Sequence, residues 1–425
     1  MRFRALIVGG GRLQSFVIAI ALICAVLFLA LATGARGESA AQPRVDDGPE
    51  DAPYAAGELL VAYEPGTPEK AQSAVVRQSG ARTLEDLPGE VRLISFPEIT
   101  HEASEAARER ALARELRDLG HIAGVEVVDY NYLRRPFFMP NDPRLDDQWG
   151  LTKTRFPGAW NDSRGAGAKV AIVDSGVNRE LATGVYQKHP DIGRIAAQYD
   201  FVEGNALADD DYGHGTRVTG IAGALTDNGK GVAGGCFKCG LLIAKVMDAN
   251  GSATDSRIIA GIDWSLDHGA DVVNLSLGGP EDSSFLEDAV NDAYARGAVV
   301  VAAAGNTGTI QPQYPAAYPK AIAVSATDRG DGLAYFSSRG DWVDLAAPGT
   351  SILSTRVSGD YGTLSGTSMS APFVSGLAGL LVSQNPDRSP YWIRQRMQDT
   401  AVDLGSAGHD PRFGYGRIDA DKAVR

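Results

Sequence analysis

Cysteine is scarce in this chain: Cys24, Cys236 and Cys239 are all there is in 425 residues. That excludes a scaffold held by many disulfides and a four-cysteine zinc site. Histidine is scarce as well, with six in all, so each is weighed as a base. Positive charge is in deficit. The formal net charge of -13 argues against a nucleic-acid partner, which would call for a basic surface. No G-x-S-x-G turn occurs, so the nucleophile elbow of the α/β-hydrolases is missing. Internal repeats and low-complexity tracts are absent too. What is present is 44% apolar residues and 22% charged ones, the balance of a chain with a sizeable core.

The N-terminal end differs in character from the rest. Arg2, Arg4 and Arg12 precede an uncharged apolar run over residues 13–32. Small residues and an acidic stretch follow. Residues 1–37 therefore read as a signal peptide or a retained signal anchor, and either one sends the remainder across a membrane. The early "IVGGGR" resembles a dinucleotide loop but lacks the strand and helix such a loop needs. Residues 38–55 are polar and acidic and read as a linker. In an exported chain "CFKC" is expected to close a short-loop disulfide between Cys236 and Cys239; a redox-active pair is the alternative.

Residues 56–137 pattern as a small α+β module, roughly β-α-β-α-β, with room for a further strand at "ARTLEDLP". Residues 138–425 form the main domain. "AKVAIVD", "LLIAKVM", "ADVVNLSL", "AVVVAAAG" and "AIAVSAT" are short, apolar and β-branched, as befits parallel strands buried on both faces. Helical patterns lie between them. The alternation predicts an α/β fold with a doubly wound, mostly parallel sheet, whose chemistry belongs beyond the C-terminal strand ends.

Four pieces gather there. "AKVAIVD" ends on Asp174; alone, it reads as a turn or cap aspartate. "YGHGT" sets His214 between two glycines at a helix start, where the backbone can approach another element closely. "AVVVAAAGN" ends on Asn306, a neutral donor able to stabilise an oxyanion. "LSGTSMSAP" holds Ser365, Ser368 and Ser370 in a small-residue turn that enters a helix containing Pro372. A serine there sits at the positive end of a helix dipole beside free N–H groups. Any of the three could instead be only a cap. The chain order is Asp, His, Ser, unlike chymotrypsin or the α/β-hydrolases.

With "VAIVDSGV", "HGTRVTGIAG", "NLSLGG", "AAAGN", "AYFSSRG", "LAAPG" and "GTSMSAPFVSGLAGLL", the chain from about residue 142 onward resembles the subtilisin-like serine proteases (subtilases), in particular their thermitase-like branch. Residues 57–135 more loosely resemble that family's inhibitory, chaperone-like propeptide. The resemblance implies a serine endopeptidase acting on proteins or peptides, with its own propeptide as intramolecular inhibitor and no partner subunit. It implies Ser368 as nucleophile, His214 as base, Asp174 as orienter, and Asn306 with the Ser368 N–H as oxyanion donors. It places substrate along Leu275, Ser276, Leu277, Gly278 and Gly279 and along Ala303, Ala304 and Gly305. Gln313 then stands where many relatives have glycine at the back of the first specificity pocket, and Arg217 where many have a second histidine. A structural calcium ion is also implied, held by Asp142, Asp191 and Asn228 side chains and by the carbonyls of Leu225, Lys230 and Val232. Oxygen donors from scattered loops suit that ion.

Overall fold

The computed structural model describes residues 44–45, 54–101, 105–134, 138–180 and 186–425. The apolar run at 13–32 and the "IVGGGR" stretch lie outside them. The chain divides into two compact units, Met1–Leu133 and Arg134–Arg425.

In the first unit, β1 (Arg44–Val45), β2 (Tyr54–Tyr63), β3 (Arg82–Leu87), β4 (Val91–Ser95) and β5 (Val125–Tyr132) form one sheet in the order β1-β5-β2-β4-β3. The extra strand at "ARTLEDLP" is β3. Residues expected to be only linker contribute β1, which runs parallel to β5. The β2, β3, β4 and β5 pairings are antiparallel. Helices α1 (Glu69–Gln78) and α2 (Glu105–Leu119) accompany the sheet. Leu59, Val61, Ile94 and Val128 alternate along their strands and pack with Leu112 and Leu116 of α2 in a small core.

The second unit is built on seven strands, all paired in parallel. They are β6 (Lys169–Asp174), β7 (Ile195–Asp200), β8 (Gly240–Lys245), β9 (Val272–Leu275), β10 (Val299–Ala303), β11 (Ala321–Thr327) and β12 (Leu345–Pro348). Their order is β12-β11-β10-β9-β6-β8-β7. The chain fills one side of β6 first and then the other, so the winding reverses between β6 and β9. Such a switch point opens a crevice at the C-terminal strand ends.

The strands are apolar at consecutive positions because both faces are covered. Val170 and Ile172 of β6 join one core with Val218 and Ile221 of α3 (Gly215–Gly223). Ala171 and Val173 join the other with Ile258 and Ile262 of α4 (Asp255–Asp267) and Val290 of α5 (Ser284–Ala295). Each fully buried Val or Ile contributes about 1.5–3 kcal/mol. Helix α6 (Thr367–Gln384) is apolar all round and buried along nearly its whole length between the sheet and α3. An antiparallel hairpin, β13 (Ile352–Thr355) and β14 (Tyr361–Leu364), leads into it.

Candidate active site

Asp174 is the last residue of β6 and is fully buried. The Ser175 N–H donates to its Oδ1 at 2.7 Å. His214 immediately precedes α3, and its Nδ1 lies 2.8 Å from Oδ1 and 3.0 Å from Oδ2 of Asp174. A carboxylate only accepts, so Nδ1 carries the proton and Nε2 is left as a base. Gly215 makes this approach possible: a Cβ there would collide with the Gly176 carbonyl and press on Asp174. Burial disfavours the charged imidazole, but the Asp174 charge and hydrogen bond, with Asp210 adding, outweigh it. The His214 pKa is held above its ordinary 6.5, with Arg217 opposing.

The three serines separate clearly. Ser365 Oγ accepts the Ser351 N–H at 2.8 Å. Ser370 is fully buried and donates to the Pro348 carbonyl at 3.2 Å. Ser368, in the first turn of α6, is half-buried and exchanges two bonds with Ser276. Its Oγ donates to the Ser276 carbonyl at 3.0 Å, and Ser276 Oγ donates to the Ser368 carbonyl at 2.9 Å. Pro372 explains the second bond. It stands four residues after Ser368, has no N–H to give, and so leaves that carbonyl for Ser276. Among the described residues Ser368 Oγ has no hydrogen bond to His214.

Asn306 follows β10 and is exposed. Its Oδ1 accepts from the Thr367 N–H at 2.8 Å and from Thr367 Oγ1 at 3.1 Å, which turns Nδ2 outward. Neither Nδ2 nor the Ser368 N–H has a partner among the described residues. Both border one spot: a Cβ built on Gly366 would lie 3.5 Å from Asn306 Nδ2 and 3.8 Å from the Ser368 nitrogen. Asn306 Oδ1 lies 3.7 Å from the same spot but is occupied by Thr367, and two unpaired donors close to one point suit a developing oxyanion.

Leu277 is partly exposed and Gly278 exposed, and their main-chain groups make no hydrogen bond to another described residue, so they are available to an added strand. Gly279 pairs with Tyr314 through two backbone bonds of 3.0 and 2.7 Å. Gly305 gives its N–H to Thr367 Oγ1 at 3.0 Å, and its Cα faces the side chain of Gln313. Gln313 is largely buried, with Nε2 donating to the Pro312 carbonyl at 3.1 Å. Leu275, Ala303 and Ala304 are almost wholly enclosed, and the Ala304 N–H serves the Val324 carbonyl at 3.0 Å. Arg217 donates to the Gly362 carbonyl of β14 at 3.2 Å.

A second cluster forms around residues 225–232. Asp191 Oδ1 accepts from Asn228 Nδ2 and Oδ2 from the Val232 N–H, both at 2.8 Å. Asp142 Oδ2 accepts the Asp227 N–H at 2.7 Å, while Oδ1 is buried with no hydrogen-bond partner. Burial, with the nearby Asp191 charge adding, pushes the Asp142 pKa up. Gly231 has a positive φ, and a Cβ there would strike Asp191 Oδ2 and the Tyr361 hydroxyl. Leu225 and Lys230 lie in the same loop. An orphaned buried carboxylate oxygen under the influence of a second carboxylate suits a bound cation. Cys236 and Cys239 are joined, with Cα atoms 5.4 Å apart, and pack against Gly379 of α6.

Sequence reasoning passed over Ser175, Asp210 and Thr367, which hold the site from behind. The signals were slight: "DSG" carries the first and "GTS" the last.

The subtilase family model matches residues 165–416. Thermitase of Thermoactinomyces vulgaris is 44% identical over 290 residues, spanning 68% of this chain and 100% of that protein. A thermophilic serine proteinase of a Bacillus species is 37% identical over 378 residues, spanning 88% of this chain and 89% of its own. Among solved structures, a protease of Pseudoalteromonas arctica superposes with a TM-score of 0.60 at 30% identity, covering 68% of this chain and 99% of that one. With the parallel sheet and the crevice described above, these likenesses lead to one conclusion: the chain belongs to the subtilase family and is a subtilisin-like serine endopeptidase.

Proposed function

We propose that this endopeptidase works through Ser368, His214 and Asp174, and that it is exported as a precursor which processes itself. The observation that carries the reading is the Asp174–His214 pair at 2.8 Å at the C-terminal end of β6, which leaves Nε2 free to act as base. Ser368 Oγ turns from the Ser276 carbonyl toward Nε2 as substrate enters; such bonds are often long in a free enzyme. Nε2 takes the hydroxyl proton as Oγ bonds to the peptide carbonyl carbon. The carbonyl oxygen gathers the negative charge between Asn306 Nδ2 and the Ser368 N–H. The C–N bond then breaks as the imidazolium gives its proton to the leaving amine, leaving an acyl-enzyme. Water reverses the sequence and frees the acid. The peptide lies as a strand against residues 275–279 and 303–305, and Gln313 narrows the pocket for the residue before the cut.

A fluorophosphonate probe should attach to Ser368 alone, located by mass spectrometry of the labelled peptide. Labelling should slow on acidification with a midpoint above 6.5, because Asp174 favours the protonated imidazole, which cannot act as base. Label on Ser365 or Ser370, or a rate flat between pH 5 and 8, would overturn the assignment. Replacing Asn306 with alanine should lower kcat by about 10²–10³ with KM little changed. A fall in substrate affinity alone would contradict the donor role.

Residues 56–137 serve as the inhibitory propeptide, cut away within 135–147, next to the boundary of the two compact units. The basic flank and apolar run at the N-terminus support export. Among the described residues no helix is long and apolar enough to cross a membrane. Calcium is held by Asp142, Asp191, Asn228 and the carbonyls of Leu225, Lys230 and Val232, where it braces the loop. At calcium about 100-fold above its Kd, chelation should lower the Tm by roughly 5–10 °C. Asp142→Asn should melt at the chelated temperature whether or not calcium is present. An unchanged midpoint on chelation would count against the site.

A further inference from the structure

Asp210 is fully buried behind the turn that carries His214. All four groups bonded to its carboxylate are donors. Oδ1 accepts from Ser175 Oγ at 2.7 Å and from the Gly213 N–H at 2.6 Å. Oδ2 accepts from the Thr216 N–H at 2.8 Å and from Thr216 Oγ1 at 2.6 Å. Two N–H groups and two hydroxyls directed at one carboxylate favour the anion. Burial outweighs these four bonds and leaves the Asp210 pKa above its ordinary value.

Ser175 supplies the second link. Its hydroxyl donates to Asp210 and accepts the Gly215 N–H at 2.8 Å. The residue after Asp174 is thus tied to the residue after His214 through one oxygen. Gly213 and Thr216, which bracket His214, are tied to the same carboxylate. The imidazole itself is held by Asp174. Its distance from Asp174 therefore depends on the turn, and the turn depends on Asp210.

We propose that Asp210 is a positioning residue for peptide hydrolysis: relayed through Ser175, it holds the His214 turn within hydrogen-bond reach of Asp174, and its charge joins that of Asp174 in favouring the imidazolium formed during the reaction. The proposal rests on the triad reading given above. Asp174 and Asp210 are the anions acting on His214, Arg217 is the opposing cation, and the Tyr212 ring lies 6.4 Å from the imidazole. From β8, buried Lys245 binds the Asp209 carbonyl at 2.8 Å and Asp211 at 2.9 Å, which fixes both neighbours of Asp210.

The test is steady-state kinetics on a short peptide amide, as a function of pH, for the processed wild type, Asp210→Asn and Ser175→Ala. An amide offers one accepting oxygen where two are needed. Asp210→Asn should therefore lose about 10- to 100-fold in kcat through misplaced His214. KM should stay close to wild type, since Asp210 is buried away from substrate. The acid limb of kcat/KM should move to lower pH, because one of the two anions is gone. Ser175→Ala keeps the charge and removes the relay, so its kcat should fall while the acid limb stays in place. Wild-type kcat in either variant overturns the proposal. So does an unmoved acid limb in Asp210→Asn, which would mark a merely structural role. Should Asp210→Asn fail to fold, Ser175→Ala decides: a tenfold or greater fall in kcat at unchanged KM supports the relay, and wild-type turnover refutes it. An active wild type with indifferent Asp210→Asn sinks only this inference. An enzyme that keeps its full activity as Asp174→Asn sinks the triad itself.

Discussion

Ser368→Ala is expected to lower kcat by about 10⁶-fold and to leave the precursor uncut. Without Oγ no acyl-enzyme forms, and the base has no proton to take. What survives is the catalysis supplied by the oxyanion donors and by substrate binding, roughly 10³–10⁴ over water. The same loss should appear in maturation if the enzyme cuts its own chain. Gel electrophoresis of the variant made alone should then show one band at full length. A variant that matures normally would refute self-processing, while its peptidase activity would still report on the nucleophile. The fold should hold, since the half-buried Ser368 hydroxyl satisfies only the Ser276 carbonyl, which keeps its own place at the end of β9. Ser370→Ala is the control. Ser370 lies in the core beside Pro348, and its loss should leave kcat within a few-fold.

Asp174→Asn should be the next most damaging change, at about 10⁴-fold in kcat. The geometry gives the reason. The Ser175 N–H fixes one oxygen position of residue 174, so the new amide keeps its carbonyl there. That carbonyl still lies 2.8 Å from His214 Nδ1, but the NH₂ at the Oδ2 position, 3.0 Å away, sets a donor against the same nitrogen. The negative charge that favours the imidazolium is gone, and a ring that turns its proton to Nε2 to accept from the NH₂ can no longer take the serine proton. Kinetics at neutral pH should show kcat lost with KM close to wild type. The His214 proton resonance should also report the changed tautomer. An Asp174→Asn enzyme within tenfold of wild type would mean that Asp174 does not set the tautomer.

Much of this was readable from residue order. Consecutive β-branched residues in "AKVAIVD" announce a strand covered on both faces, and β6 splits its side chains between two cores accordingly. The glycines around His214 announce close approach, and Gly215 is where a Cβ would collide. Other parts were out of reach. Nothing local says that Ala304 spends its N–H on Val324; that follows from the pairing of β10 with β11. Arg44 and Val45 look like linker because a two-residue edge strand has no period to read.

The sequence by itself determined the class of chemistry, since a strand-end aspartate, a histidine between glycines and a serine entering a helix are set by local composition and order. It also determined the layered α/β architecture through hydrophobic periodicity, which depends only on near neighbours. Tertiary structure supplied how His214 is held and what each serine bonds to. Ser365 bonds to Ser351, Ser370 to Pro348 and Ser368 to Ser276. Asp210 bonds at once to Ser175, from the Asp174 turn, and to Thr216, from the His214 helix. These are bonds between elements far apart in the chain. Their partners are fixed by how the strands are ordered and how the helices pack, which no short stretch of residues encodes.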